Sequence, residues 1–495
     1  RLLAVRDLAF PAWVDSSRHA LITAVMSESG KVITDYSPYL PVTGFPYHYG
    51  FHTLSASLEM MTGMELHRLL LIFLQLLISL VPLTVFAGLD LITKRFWAAL
   101  IAAFLVGIPF LFPGYYVTWG RMTQISAMVI LPVGLAFTWL LIRGAKVWRK
   151  SWPHLSLLAG GLFLMHFRVF LLYLPFVLMV WILSKGREGR WLAAAAGLSL
   201  VLVAPRIFRA VAVLGAPGMS ESIPGNNDFP TGYIDPGWEL YFLIAAAMSL
   251  LLVLVAAARS RRWTWFPLLL ALWSALVGLL LSGWIPGISE VPLLNLNSAY
   301  ITFFLPLAWF LAVTFDRIIL WLGNRSFAIQ VVGWGLTGVL FAALLLYGIH
   351  QQINILNPQT ILAWKRDESG LRWVEENLPP EAVVAVNSWQ WQGSTWAGND
   401  GGAWLIPMTG IKTTTPPVDY IYDEDLSDKV ASFNAYASEV EDWSDPAQAD
   451  WLTEQGVSHI YVGARGGFFD PSELANNPEI SEIYRENGVF VFNLR

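Results

Sequence analysis

Long uncharged hydrophobic runs, separated by short polar segments, occupy most of the first 350 residues. The runs that approach the ~20 residues needed to cross a bilayer lie at 66–90, 96–113, 122–142, 191–212, 238–258, 264–283, 297–316 and 327–349. A spanning helix satisfies its backbone hydrogen bonds internally, as the hydrocarbon core demands. The pattern therefore predicts a polytopic α-helical membrane protein.

The run 155–184 differs from the others because it has 30 residues and contains His166 and Arg168 at its middle. Its flanks, 143–150 and 185–190, are strongly basic. If both flanks are cytoplasmic, the run must enter the membrane and return. This predicts two short helices with the sequence MHFR at the turn, and broken helices of this kind line cavities in transporters and membrane transferases.

The distribution of Lys and Arg among the predicted loops indicates an orientation. Alternate loops contain 14 Lys and Arg residues on one side and a single one, Arg121, on the other. Positively charged loops stay in the cytoplasm, so we predict ten crossings with both ends of this chain outside. The chain starts at Arg1 with a short charged segment, and we expect an upstream first helix that makes eleven crossings.

The chain changes character at about residue 350, where hydrophobic runs give way to alternating short elements. We predict an amphipathic helix at 367–379, a second helix at 449–457, and strands at 382–388, 459–463 and 489–494. The predicted regions are a first extracytoplasmic loop, 1–65, a transmembrane domain, 66–349, and an extracytoplasmic α/β domain, 350–495.

The amino-acid composition excludes several classes of function. Of 495 residues, 55% are hydrophobic and 14% are charged, whereas soluble domains contain about 25% charged residues. The net charge of −5 gives no basic surface for nucleic acid. The absence of cysteine excludes disulfides, thiolate nucleophiles and Cys-ligated metals. The sequence has no Walker loop, HExxH or GxSxG motif, so we do not expect hydrolysis by zinc or by a serine elbow.

The polar segment 11–52 contains candidate acid–base chemistry. Asp15 and His19 are four residues apart and would share a face of a helix. A carboxylate there can act as a general base, and an Asp–His pair can ligate a metal, whose identity the sequence leaves open. The alternative is that Asp15 is the N-cap of a helix starting at Ser16.

Four arginines lie in the outer half of the predicted topology: Arg121, Arg168, Arg206 and Arg209. Arginine forks bind phosphate oxygens bidentately, so this set predicts a phosphorylated lipid headgroup, and a nearby carboxylate base suggests group transfer from that lipid. The alternatives are that Arg121, Arg206 and Arg209 snorkel to headgroups. His166 and Arg168 would then satisfy the carbonyl groups of a broken helix.

A Trp- and Gly-rich stretch in the C-terminal region, 389–404, includes Trp391 and Asp400. Exposed Trp beside Asp or Asn is typical of carbohydrate contact. The alternative is a packed turn over the core of the small domain.

Five segments in order resemble the GT-C membrane glycosyltransferases, and the similarity extends over nearly the whole chain. They are WVDSSRH at 13–19, PYHYGFH at 46–52, YYVTWGRMTQ at 115–124, MHFR at 165–168 and WAGNDGGAW at 396–404. More narrowly, the chain looks like bacterial members of the type found in Chloroflexi. The resemblance implies a hexosyl- or pentosyltransferase of the bacterial cell envelope, located in the plasma membrane, with a polyprenyl-phosphate-linked sugar as donor.

The resemblance also implies roles for individual residues. Asp15 matches the acidic residue of the first extracytoplasmic loop that is taken as catalytic in this family. The residues that would bind the donor phosphate are Arg121, Arg168, Arg206 and His166, and those that would contact sugar or acceptor are His19, His48, His52, Asp35, Trp391 and Asp400. Metal-dependent members hold a divalent cation, for which Asp15 and His19 are the candidates. Many members have a paired acidic motif, whereas Asp15 stands alone here, with Asp35 as the nearest other acid.

Two further functions remain as alternatives. One is a non-catalytic GT-C-like subunit of a larger membrane complex, suggested by the solitary Asp15 and the large outer domain. The other is a lipid or solute transporter, suggested by the broken helices. For the transferase, the sequence leaves open whether the acceptor is a glycan, a lipid or a protein.

Overall fold

A computed structural model describes residues 1–143, 146–184, 188–212, 266–281 and 299–495, together with residues 247, 248, 251 and 255. Apart from those four residues, the predicted span 238–258 lies outside the described chain. The predicted loops 213–237, 259–263 and 284–296 also lie outside it, as do parts of the basic flanks 143–150 and 185–190.

Up to residue 353, most of the described residues belong to helices. Their bounds are α1 Val14–Ser29, α2 Gly50–Thr62, α3 Leu66–Thr93, α4 Phe96–Gly107, α5 Met122–Arg143, α6 Trp152–Met165, α7 Phe167–Ile182, α8 Gly189–Ala212, α9 Phe266–Leu281, α10 Phe304–Gly323 and α11 Phe327–Ile353. Within the described ranges, five are long and apolar enough to cross a membrane: α3, α5, α8, α10 and α11. The count of ten crossings stays a prediction.

The predicted break in the run 155–184 is present. Helix α6 ends at Met165, His166 is extended with φ −160° and ψ 106°, and α7 begins at Phe167. The His166 side chain accepts a hydrogen bond from the backbone N–H of Val169 at 3.3 Å, so this histidine caps the second helix. A polar residue that can cap a helix explains why an apolar run divides at this point.

The C-terminal region is an α/β domain built on a five-stranded sheet of order β4-β1-β5-β7-β6. The strands, including a separate β2–β3 hairpin, are β1 Val383–Val386, β2 Ser388–Gln392, β3 Thr395–Gly398, β4 Lys412–Thr413, β5 His459–Val462, β6 Ile480–Glu486 and β7 Val489–Leu494. The helices are α12 Asp367–Asn377, α13 Leu405–Thr409, α14 Glu424–Glu439, α15 Pro446–Glu454 and α16 Pro471–Asn476. Every residue of the central strand β5 is buried, which matches its hydrophobic sequence.

These observations confirm the predicted fold class, a polytopic α-helical membrane protein with a C-terminal α/β domain. Strands β1, β5 and β7 and helices α12 and α15 all lie where the sequence pattern predicts them. The sheet pairs β1 with β5 in parallel and β5 with β7 antiparallel.

The N-terminal segment packs against the C-terminal domain at one end of the long helices. The rings of Phe10 and Trp404 are 5.1 Å apart, and the Trp13 backbone N–H donates to the Thr360 carbonyl at 2.8 Å. At the start of α3, His67 Nε2 lies 3.1 Å from Glu368 Oε1. The two regions therefore share one end of the bundle, and that this end faces the outside of the cell stays a prediction.

Candidate active site

Asp15 lies in the first turn of α1 and is not the helix cap. The helix begins at Val14, and the preceding residue, Trp13, has φ 72° and makes no side-chain cap bond. The N-cap interpretation of Asp15 is therefore wrong, because the helix starts two residues earlier than that interpretation requires. The positive end of the helix dipole favours a carboxylate in this turn. Within the described residues no hydrogen bond engages the half-buried Asp15 carboxylate.

Gly120 allows the loop that contains Arg121 to lie directly against this turn. Its φ is 60°, and a Cβ there would overlap Ser16 Oγ and lie 2.8 Å from the Ala12 carbonyl oxygen. Only glycine accepts both the left-handed conformation and this close approach. Arg121 follows at the start of α5, with its guanidinium 5.0 Å from the centre of the Trp119 ring. The packing therefore places Arg121 beside α1.

The electrostatic environment of Asp15 is strongly cationic. Burial raises the pKa of the Asp15 carboxyl above its ordinary value, and the positive charges of Arg121, Arg18 and Arg168 oppose this rise. The negative charge of Asp419 adds to it. Of the arginines that the sequence predicted near Asp15, Arg121 and Arg168 thus act on it, and a carboxylate with a raised pKa is a better proton acceptor.

A cluster of histidines borders this cationic region. His19 Nδ1 lies 3.0 Å from His52 Nε2. The His48 ring stacks on Tyr47 at 3.9 Å and meets the His166 ring edge-on at 4.8 Å. The predicted polar residues of the first loop thus gather with the histidine of the broken helix.

Burial and neighbouring charges hold these imidazoles neutral. The pKa values of His19 and His48 lie well below the usual range, mainly because of burial. Burial also lowers the pKa of His52 to about 3, with Arg18 adding to the effect. Among the described residues, His48 Nε2 and His52 Nδ1 are buried without a hydrogen-bond partner. A neutral imidazole has one donor and one acceptor nitrogen, so this wall can bind hydroxyl groups.

The close approach of α2 to the broken helix depends on Gly50. A Cβ at Gly50 would lie 2.9 Å from both the carbonyl carbon and the oxygen of Leu164. The start of α2 therefore packs backbone to backbone against the end of α6. This packing places His48, two residues before Gly50, next to His166.

The described part of the chain shows no group of side chains arranged to bind a metal ion. There, no three His, Asp or Glu side chains lie in positions that could hold one ion. The candidate ligand His19 instead pairs with His52.

Arg206 supports the loop that precedes His48. Its guanidinium donates to the carbonyl oxygens of Phe45, Pro46 and Tyr47 at 2.9, 2.5 and 2.6 Å, and the residue is 5% exposed. These backbone oxygens engage both terminal nitrogens, so the geometry favours a positioning role over the phosphate contact expected from the sequence. Arg209, three residues later, is exposed.

The remaining predicted contact residues lie in other surroundings. Asp35 accepts hydrogen bonds from its neighbours Thr34 and Ser37 in a local turn. Asp400 is fully buried, and its oxygens accept hydrogen bonds from three donors of the C-terminal domain: Asn387 Nδ2 and the backbone N–H groups of Gly402 and Gly463. Burial and the nearby Asp367 carboxylate raise the pKa of Asp400 to about 7.

Trp391 lies on the β2–β3 hairpin, partly buried against an apolar cluster that includes Val14 and Val418. Trp389 of the same strand meets Trp13 edge-on, with ring centres 5.5 Å apart. Much of this Trp-rich stretch therefore packs over the first turn of α1.

Sequence reasoning missed the ion pair between Arg18 and Asp419. Arg18 Nε and Nη2 donate to Asp419 Oδ1 at 2.9 and 2.7 Å, and Nη2 also donates to the Tyr422 hydroxyl at 2.8 Å. The Tyr36 hydroxyl donates to the same Asp419 oxygen at 2.8 Å. The Arg18 guanidinium lies 3.9 Å from the centre of the Tyr47 ring.

One signal for Arg18 was available in the sequence, since it follows Asp15 by three residues and therefore shares its helix face. Asp419 had no such signal, because 401 positions separate it from Arg18. The site thus combines the first loop, the broken helix and the C-terminal domain.

No known protein family matches the chain, and no curated protein matches it. Among solved structures, ArnT from Cupriavidus metallidurans bound to undecaprenyl phosphate has a TM-score of 0.57 at 13% identity, covering 99% of this chain and 95% of that one. The oligosaccharyltransferase AglB from Archaeoglobus fulgidus, in complex with an inhibitory peptide and a dolichol-phosphate, has a TM-score of 0.53 at 12% identity, covering 93% and 68%.

Arabinofuranosyltransferase AftD from Mycobacteria has a TM-score of 0.57 at 15% identity; the match covers all of this chain but only 39% of AftD. These proteins are GT-C-fold glycosyltransferases, so the predicted GT-C-like architecture is confirmed. At such identities the likeness concerns the fold. The narrower similarity to Chloroflexi-type members stays a prediction.

Proposed function

We propose that this protein is a membrane glycosyltransferase that moves a sugar from a polyprenyl-phosphate donor to an acceptor hydroxyl. The observation that favours it most is the Asp15 carboxylate, which has no hydrogen-bond partner among the described residues and lies in the field of Arg121 and Arg168. The GT-C fold supports the same proposal, since ArnT and AglB of that fold are solved with undecaprenyl phosphate and dolichol-phosphate. We assign the reaction to the extracytoplasmic face of the bacterial plasma membrane.

In this proposal Asp15 is the general base. It removes the proton from the acceptor hydroxyl as the acceptor oxygen bonds to the anomeric carbon of the sugar. The bond between that carbon and the donor phosphate breaks, and the lipid phosphate leaves with the bonding electron pair. Attack opposite the leaving phosphate inverts the anomeric centre.

The arginines stabilise the charge of the leaving phosphate. Arg121 and Arg168 present guanidinium forks that match phosphate oxygens. The neutral histidines contribute hydrogen-bond donors and acceptors for sugar hydroxyls without adding charge. Arg206 keeps the loop of His48 in place through three backbone carbonyls.

Substitution of Asp15 tests the assignment. The purified protein, reconstituted in proteoliposomes, is incubated with a panel of radiolabelled polyprenyl-phosphate sugars and candidate acceptors, and release of polyprenyl phosphate is measured. Asp15→Asn is expected to lower the rate by about 100-fold or more, the contribution typical of a general base, with unchanged membrane insertion.

Asp7→Asn is the matched control, because Asp7 is exposed in the same segment and its ion pair is with the neighbouring Arg6. We expect that variant to behave as the wild type. Full activity of Asp15→Asn would remove Asp15 as the base, and no transfer by the wild type from any donor would contradict the transferase assignment.

A further inference from the structure

Arg18 is placed to pair with Asp15 and yet does not. The two residues are three apart on α1, a spacing at which opposite charges on a helix meet. The Arg18 guanidinium turns instead to the C-terminal domain, where it contacts Asp419 and Tyr422. The base proposed for the reaction is left without a hydrogen-bonding partner among the described residues because the nearest arginine on its own helix is engaged elsewhere.

Asp419 is built to hold this arginine. It is fully buried, and its Oδ1 accepts two hydrogen bonds from Arg18 and one from the Tyr36 hydroxyl. The Tyr47 ring covers the guanidinium. An arginine bonded to a buried carboxylate and stacked on an aromatic ring has little freedom to leave.

We propose that Asp419 is a positioning residue of the active site, which holds the Arg18 guanidinium away from Asp15 and keeps the Asp15 carboxylate available to the acceptor hydroxyl. This inference rests on the proposed function. Under this inference the active site contains residues of both α1 and the C-terminal domain, because Asp419 of that domain keeps the base on α1 available. The transfer reaction then depends on the docking of that domain.

The charges around Asp15 determine what loss of Asp419 does. The groups that act on the Asp15 carboxyl are Arg121, Arg18, Arg168 and Asp419. Without the Asp419 charge, Asp15 is the carboxylate that the three-residue spacing on α1 brings within reach of Arg18. The new pair occupies the base, and its positive partner makes Asp15 a weaker proton acceptor.

The single variant Asp419→Asn and the double variant Arg18→Gln/Asp419→Asn test the proposal in reconstituted protein. Asp419→Asn is expected to lower kcat by about 100-fold, the contribution typical of a general base, and to move the acidic limb of the pH–rate profile to lower pH. Binding of polyprenyl phosphate itself should stay within about threefold, since Arg121 and Arg168 are unchanged.

The double variant Arg18→Gln/Asp419→Asn is the decisive measurement. It removes both the buried carboxylate and the cation that would otherwise capture Asp15, so we expect kcat to return to within about threefold of the wild type. Its acidic limb should lie above that of the wild type, because Arg18 acts on Asp15 more strongly than Asp419 does.

Asp423→Asn serves as the control in the same segment, since Asp423 caps α14 by accepting from the Leu426 N–H at 2.9 Å. Wild-type activity of Asp419→Asn would overturn the proposal, as would a double variant that is as slow as Asp419→Asn although it is folded and binds polyprenyl phosphate. A wild type that transfers no sugar would instead overturn the proposed function.

If Asp419→Asn does not fold, the double variant and Tyr422→Phe decide the matter. Tyr422→Phe removes one hydrogen-bond acceptor from Arg18 and should give an intermediate loss of kcat. Full activity of Tyr422→Phe, combined with a slow double variant, would overturn the inference.

Discussion

Arg206 of α8 donates a hydrogen bond of 2.6 Å to the carbonyl oxygen of Tyr47, the residue that precedes His48. A membrane helix thereby holds a loop that lines the candidate site. The same side chain donates to Phe45 and Pro46. Charge-assisted hydrogen bonds to buried carbonyl groups are strong, and an unpaired carbonyl in this place is costly.

Arg206→Ala should therefore loosen the His48 loop. We expect a loss of stability of about 2 kcal/mol or more, seen as a lower melting temperature in detergent, together with lower affinity for the sugar donor. Arg209→Ala on the same helix is the control, because Arg209 is exposed. Equal effects of the two substitutions would show that the contacts to the loop have no special importance.

Gly120→Ala should separate Arg121 from the first turn of α1. A side chain at this position meets Ser16 and the Ala12 carbonyl, and φ 60° disfavours it. We expect a cost of about 1–3 kcal/mol and a reduced rate of sugar transfer. Gly134→Ala, inside α5, provides the comparison, since a Cβ there meets no atom within 4 Å; it should be neutral or slightly stabilising.

Acid should destabilise the histidine cluster. The pKa of His52 in the folded protein, about 3, lies below its unfolded value, so the unfolded chain binds more protons and stability falls as the pH drops below about 6.5. The slope approaches about 1.4 kcal/mol per pH unit for such a group. Melting temperatures measured between about pH 7 and pH 5 should show this fall, and His52→Gln should weaken it. His350→Gln, a substitution at an exposed histidine, is the control.

The guanidinium fork of Arg121 should matter more than its charge. Arg121→Lys keeps the positive charge but loses the paired donors that match a phosphate. We expect kcat/KM for the polyprenyl-phosphate sugar to fall by about tenfold, with stability unchanged. Arg6→Lys, an exposed substitution in the N-terminal segment, is the control. Wild-type kinetics in Arg121→Lys would argue against a phosphate contact.

Local patterns predicted much of the fold. The hydrophobic runs correspond to helices such as α3, α5 and α11, and the charged MHFR interruption marks the break at His166. Strands β1, β5 and β7 of the C-terminal domain followed from short apolar runs, whereas β2, β3, β4 and β6 were not predicted. The start of α1 was misplaced by two residues, because the positive φ of Trp13 lets the helix begin at Val14 without a polar cap.

Pairings between distant polar groups were the part that local patterns did not predict. The sequence predicted that Asp15, Arg121 and Arg168 lie near one another, which the structure shows, but it assigned Arg206 to a phosphate and overlooked Arg18 and Asp419. Arg206 lies in a helix that is apolar on nearly every face, where the pattern gives little indication of which neighbours a polar side chain will meet.

The sequence by itself determined that this chain is a membrane protein with a C-terminal α/β domain, because hydrophobicity and secondary-structure preference act over a few adjacent residues. The bond from Arg18 to Asp419, which leaves Asp15 without a hydrogen-bond partner in the described part of the chain, could be seen only in the folded molecule. That choice depends on the path of the whole chain, which places a carboxylate 401 positions away closer to the guanidinium than the acid on its own helix.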